Sequence, residues 1–236
     1  MGPDLDPAQS LGPMAFVESL AAPELSAEDL HHFSKVLRLR DGEPMVVCDG
    51  AGQWSTAMFA AGAGRILDCT GPLVTAAKPE RPVGVGFALV KGDRPELICQ
   101  KLTELGVDRI TPMTTQHCVV SWKGKEARQH ERLVRVARSA AMQCRRTWLP
   151  VIDEVRPFGA VIELFSVAGN GAVVRGDRDG ESLSERRDSV AAVLIGPEGG
   201  WSVEERSLLP ESVRLAQHML RVETAAIAAG TILRSW

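Results

Sequence analysis

Tyrosine is absent from the 236 residues, and six phenylalanines with five tryptophans leave the chain poor in aromatics. So few flat side chains argue against a sheet on which successive bases stack, as in an RRM. No apolar run approaches the roughly 18 residues of a membrane span. The opening "MGPDLDPAQSLGP" lacks the basic start and apolar core of a signal peptide, so a cytoplasmic protein away from membranes is expected. The cysteines (Cys48, Cys69, Cys99, Cys118, Cys144) are odd in number and scattered, with no C-x-x-C. They are expected to be reduced thiols, mostly in the core, and no metal is expected. Phosphate fingerprints are missing too. There is no G-x-x-x-x-G-K-[ST], and the pairs Gly62/Gly64 and Gly84/Gly86 lack the rest of G-x-G-x-x-G. This argues against a P-loop or Rossmann cofactor, and the absence of G-x-S-x-G and H-E-x-x-H argues against a hydrolase elbow and a zincin site.

What is present begins with charge. The net charge of −3 conceals an uneven distribution. Residues 1–75 hold 4 Lys/Arg against 10 Asp/Glu, residues 76–150 hold 14 against 7, and residues 151–236 hold 9 against 13. A basic middle third fits a surface facing a polyanion, and a solvated helix face fits it equally well.

The chain changes character near residue 75. Before it, short apolar stretches are broken by Asp41-Gly42, Asp49-Gly50 and Gly62/Gly64, the pattern of a small β-rich unit. The segment "VTAAKPERP" (74–82) reads as a linker, giving domains of 1–75 and 76–236. After it, apolar strands alternate with helices: 83–90, 109–113, 171–176, 190–196 and 212–216 as strands, and segments near 94–105, 125–146, 157–167, 202–210 and 222–235 as helices. Asp93 and Ser202 are the expected N-caps, with Glu96 and Glu205 three residues on. This alternation predicts a mostly parallel α/β sheet.

One buried strand ends in "LIGPEGGW" (194–201). In a parallel sheet, ligands sit beyond the carboxyl ends of strands, where Gly196, Gly199 and Gly200 would bare backbone groups or adopt positive φ. Pro197 stiffens the loop, and Glu198 is its only acid or base. A tight connection capped by Ser202 would use the same residues. Near the end, "LRVETAAIAAG" (220–230) places Arg221, Glu223 and Thr224 at a helix start. Glu223 suits that position, but a cation there faces the positive end of the dipole, so Arg221 calls for an anionic partner.

Together "LIGPEGGWSVEE", "LRVETAAIAAG", "KGDRPELICQKLTELGVDRITPM" (91–113) and "HHFSKVLRLRDGEPMVVCDGAG" (31–52) resemble ribosomal RNA uridine methyltransferases of the SPOUT class. These modify ring nitrogen 3 of a uridine in small-subunit RNA. The resemblance spans nearly the whole chain and implies a C-terminal trefoil knot, an N-terminal PUA-like β-barrel that binds RNA, and a homodimer. It also implies S-adenosylmethionine as donor, held by Val174, Arg175 and Gly176, by Ile195, Gly196, Pro197, Gly199 and Gly200, and by Leu215, Met219, Leu220 and Thr224. The partner it implies is 16S rRNA or the small ribosomal subunit. Arg221 would stabilise developing charge, with Glu198, or else Glu223, as base. Lys35, Arg38, Arg40, Arg128, Arg132, Arg135, Gln143 and Arg146 are the expected RNA contacts. The chain departs from the family pattern at Ala216-Gln217, where Gly-Pro is common, at His117, where arginine is usual, and at Met142, where glutamate is frequent. Two alternatives are a methyltransferase of tRNA or of another base, and a non-catalytic RNA-binding or assembly protein. The polar set Glu198, Arg221, Glu223 and Thr224 argues against the second.

Overall fold

The computed structural model describes residues 12–60, 67–168 and 171–235. The chain divides into two compact units, residues 1–78 with 138–149 and residues 79–137 with 150–236. The turn expected at Gly62/Gly64 and the leader through Leu11 lie outside the described residues.

In the first unit, strand β1 (Met14–Phe16) runs parallel to β2 (Pro44–Cys48), and β2 pairs antiparallel with β3 (Gln53–Met58). The short β4 (Asp68–Cys69) and β5 (Val74–Thr75) both pair with β3. Helix α1 (Ala27–His31) precedes one wide π-type turn at His32–Val36. The β2–β3 turn is set by Asp49, whose carboxylate accepts from the N–H groups of Ala51 and Gln53 at 2.7 and 3.0 Å. The period-2 rule explains the continuous apolar run of β2. Met45 and Val47 pack with Phe33 and Phe59 on one face, while Val46 and Cys48 pack with Phe16 and Trp54 on the other. Ala141 joins that second cluster, and Met142 is half-buried against both. An apolar residue at 142 is thus a packing choice of this unit.

The second unit is built on one parallel sheet. In chain order its elements are β6 (Gly84–Ala88), α2 (Arg94–Glu104), β7 (Arg109–Thr114), α3 (Glu126–Cys144), β8 (Val151–Ile152), β9 (Arg156–Pro157) and α4 (Phe158–Ala168). Then follow β10 (Ala172–Ser182), α5 (Leu183–Arg186), β11 (Val190–Ile195), α6 (Val203–Leu208), β12 (Ser212–Arg214) and α7 (Val222–Arg234). The strand order is β12-β10-β11-β6-β7-β8, with β9 also on β7. Every residue of β6 and β11 is buried, as a parallel sheet covered on both faces requires. Val85 and Phe87 face α2 and α7 residues such as Ile98, Leu102, Ala226 and Ala229. The other face carries Met113, Val161, Phe165, Leu194 and Trp201. The Gly84/Gly86 pair has a packing role there, since a Cβ on Gly84 would lie 2.1 Å from the Phe165 ring and one on Gly86 2.6 Å from Leu194.

Several local expectations change. Asp93 is the N-cap of α2 but makes no side-chain cap bond, and Glu96 instead pairs with Arg132 at 2.6 Å. On α3, the three- and four-residue spacing of Leu133, Ala137, Ala140 and Cys144 predicts one apolar stripe; the first three are buried, whereas Cys144 is exposed. Cys69 is exposed as well. Strand β10 runs on to Ser182, because residues 177–180 bulge out: Gly176 and Glu181 both stand opposite Val213. Elements β8, β9 and α5, two to four residues each, carry too little period to be read from sequence.

Candidate functional site

The bulge of β10 after Gly176 and the loops that follow β11 and β12 come together. They enclose a cavity of about 380 Å³ walled by Gly176, Ile195 to Trp201, Leu215, Met219 and Leu220, with Val222 and Ala225 from α7. Of the twelve positions expected to hold the donor, nine line this cavity: Gly176, Ile195, Gly196, Pro197, Gly199, Gly200, Leu215, Met219 and Leu220. The other three do not. Val174 is fully buried in the core. Arg175 is buried and spends its guanidinium on the Leu209 carbonyl at 2.9 Å and on Asp177. Thr224 is exposed on α7 outside the cavity wall.

Trp201 ties the bulge to the loop after β11. Its indole Nε1 donates to the Gly176 carbonyl at 2.9 Å, and its ring centroid lies 5.0 Å from that of Phe158. Gly196 makes room for it, since a Cβ there would fall 2.8 Å from the indole. Ser202 and Glu205 form the expected capping box, and the second oxygen of Glu205 accepts from the Gln116 N–H at 2.8 Å. His117 Nδ1 lies 3.1 Å from the carbonyls of both Gly199 and Gly200. Both neighbours only accept, so Nδ1 carries the proton. The positive φ of the loop, +72°, belongs to Gly200, whereas a Cβ on Gly199 would press on His117 at 3.0 Å. The three glycines therefore do different things: two admit a neighbouring side chain and one turns the backbone.

The charged residues gather beside this loop. Arg94, at the start of α2, lies 3.5 Å from Glu198 and 3.8 Å from Glu223. Glu198 is more than half exposed, whereas Glu223 is nearly buried and its Oε2 has no hydrogen-bond partner. Arg221 is the N-cap residue of α7 by position, makes no side-chain cap bond, and has no partner among the described residues. A cation at the positive end of a helix marked Arg221 from sequence, and the same test applied to Arg94 would have found it as well. Asp177, Arg178, Arg206 and His218, also in the wall, carried no comparable signal.

The basic candidates for RNA fall in both units. Lys35, Arg38, Arg40, Gln143 and Arg146 belong to the first, all exposed except the half-buried Arg146. Arg128, Arg132 and Arg135 lie on the exposed face of α3 in the second, where Arg132 is held by Glu96. Burial pushes the Cys48 thiol up to about 11 and that of Cys99 up to about 12, so neither is a nucleophile near neutral pH. Among the described residues no group of three His, Cys, Asp or Glu could hold a metal, and no helix is long and apolar enough to cross a membrane.

The family model described as RNA methyltransferase domain matches residues 77–234. Ribosomal RNA small subunit methyltransferase E of Mycobacterium bovis is 30% identical, over 92% of this chain and 88% of its own length. The chain belongs to this methyltransferase E family. The Bacillus subtilis protein of the same name is 28% identical over 90% of each chain. A methyltransferase from Legionella pneumophila, solved with SAM as bound cofactor, superimposes with a TM-score of 0.83 at 26% identity, over 96% of this chain and 98% of that one. For this member of the family, the matched span contains all three segments of the cavity wall together with Arg94, Glu198, Arg221 and Glu223.

Proposed function

We propose that the chain is an enzyme that transfers the methyl group of S-adenosylmethionine to ring nitrogen 3 of a uridine in 16S ribosomal RNA. The observation that carries this reading is the cavity between the β10 bulge and the loops after β11 and β12, with a free arginine and a carboxylate pair beside it. Its volume of about 380 Å³ lies in the usual range for small-ligand sites. The wall mixes apolar side chains with open backbone at Gly200, where a Cβ would meet nothing within 4 Å, which suits a ligand with both apolar and polar parts. The SAM-bound Legionella relative and the names of the Mycobacterium and Bacillus relatives support donor and substrate class.

A uracil ring nitrogen is protonated and neutral at working pH, so the transfer needs a base for that proton and a cation for the charge left on the ring. When bound, the donor supplies an electrophilic methyl group. Glu198, exposed on the loop, takes the N3 proton, and Glu223 is the second candidate. Arg221 has an unspent fork of donors for a uracil oxygen and stabilises the developing anion.

The same reading includes the finer features of the family resemblance. The last strands and α7 form a trefoil knot. The first unit, residues 1–78 with 138–149, is a PUA-like barrel that binds RNA, and the second unit is the catalytic domain. The protein works in the cytoplasm as a homodimer, without metal. RNA affinity rests on charge, given so few aromatics. With Arg132 already paired to Glu96, the double reversal Arg128→Glu and Arg135→Glu is expected to lower the slope of log K against log salt by about 0.7 to 0.9 for each phosphate no longer neutralised. Filter binding across a salt series measures it, and an unchanged slope returns α3 to a solvated face.

The test of the reading is label transfer from methyl-tritiated S-adenosylmethionine to small subunits, free 16S rRNA and tRNA in parallel. Label in small-subunit RNA supports it. Label confined to tRNA favours that alternative, and donor binding without transfer to any RNA favours a scaffold.

A further inference from the structure

Arg94 occupies the first helical position of α2, where a guanidinium faces the positive end of the helix dipole. On its own helix the first-turn acid Glu96 is paired to Arg132, and Asp93 makes no cap bond. The compensating charges come from two other elements, Glu198 of the glycine loop at 3.5 Å and Glu223 in the first turn of α7 at 3.8 Å. The loop and that turn both contribute walls to the donor cavity, through Ile195 to Trp201 and through Val222 and Ala225.

Both separations are long for an arginine–carboxylate pair, which closes to about 2.7–2.9 Å when fully hydrogen-bonded. One guanidinium is thus shared between two carboxylates and saturates neither. The consequence is sharpest at Glu223, which is nearly buried with an Oε2 that no donor reaches. A buried carboxylate without a counter-charge is costly, and Arg94 is its only ion-pair partner among the described residues. Glu198, more than half exposed, would turn to water without Arg94.

We propose that Arg94 is a positioning residue of the methyl transfer, holding the Glu198 carboxylate toward the acceptor by anchoring it to the buried Glu223. The inference rests on the proposed function and adds to it a residue outside the cavity wall. Lysine keeps the charge but lacks the planar fork that faces two carboxylates at once, so it substitutes only in part.

The test is a double-mutant cycle on turnover with small subunits and S-adenosylmethionine, combined with donor calorimetry. Arg94→Gln is expected to lower kcat roughly tenfold or more, with donor affinity within about threefold of wild type, and Arg94→Lys to recover part of the loss. In the Glu198→Gln background, Arg94→Gln is expected to cost almost nothing further, because residues that act through one another are not additive. Melting curves guard against a folding effect, and if Arg94→Gln is unfolded the cycle is run with Arg94→Lys. Equal costs of the Arg94 change in both backgrounds, or an Arg94→Gln enzyme at the wild-type rate, overturn the positioning role alone. Wild-type protein that transfers no methyl group to any RNA overturns the proposed function, and the role of Arg94 with it.

Discussion

Replacing Arg221 with alanine is expected to lower turnover about 100-fold, the usual cost of removing a preorganised donor aimed at developing charge. The expectation comes from what the side chain does not do. Arg221 makes no cap bond and has no partner among the described residues, although it stands where the helix dipole disfavours a cation. Such a guanidinium adds little to stability, so the variant should melt near the wild-type temperature. Donor affinity should hold, because Arg221 is not part of the cavity wall. The loss should therefore fall on kcat and kcat/KM together, the signature of an interaction made only in the transition state. Steady-state kinetics with small subunits decides it. If turnover persists and only RNA affinity falls, Arg221 is a phosphate anchor and the charge-stabilising step is wrong.

Gly196→Val is expected to abolish donor binding, and for a reason the sequence alone did not supply. A Cβ at 196 would sit 2.8 Å from the Trp201 indole, whose Nε1 holds the Gly176 carbonyl at 2.9 Å. A β-branched side chain must push the indole off that bond, and the β10 bulge and the loop after β11 separate. Overpacking of this kind costs roughly 1–3 kcal/mol, so the fold should survive with a lowered melting temperature. Calorimetry should then find no donor binding in the range where wild type saturates. Wild-type affinity in Gly196→Val would mean that the glycine loop is only a connection between strand and helix.

The sequence announced the parallel sheet because its strands are long apolar runs and its helices carry a 3.6-residue period. The glycine loop could be read as one wall of the cavity and Arg221 as a displaced charge, while the other two loops followed from the family resemblance. The first two signals are local, so each could be read from a few consecutive residues. Other parts of the site depend on distant pairs. Arg94 reaches Glu198 across 104 positions, and His117 reaches Gly199 across 82. No periodicity encodes such meetings. Val174 and Arg175 show the opposite error: they adjoin Gly176 in sequence, but the pleat turns one into the core and the hydrogen bonds of β10 and its neighbours absorb the other. The grouping of residues 138–149 with the first unit was equally hidden, because α3 runs through Ala137 and Arg138 without a break in its pattern.

The transferred group and the atom that receives it can be read directly. Nucleoside mass spectrometry identifies both on 16S rRNA from cells lacking this protein, after incubation with purified protein and S-adenosylmethionine. The expected product is 3-methyluridine, absent before incubation and absent when Arg221→Ala replaces wild type over the same short time. Methylation of another base, of the ribose, or of uridine at a different ring atom would contradict the proposed function.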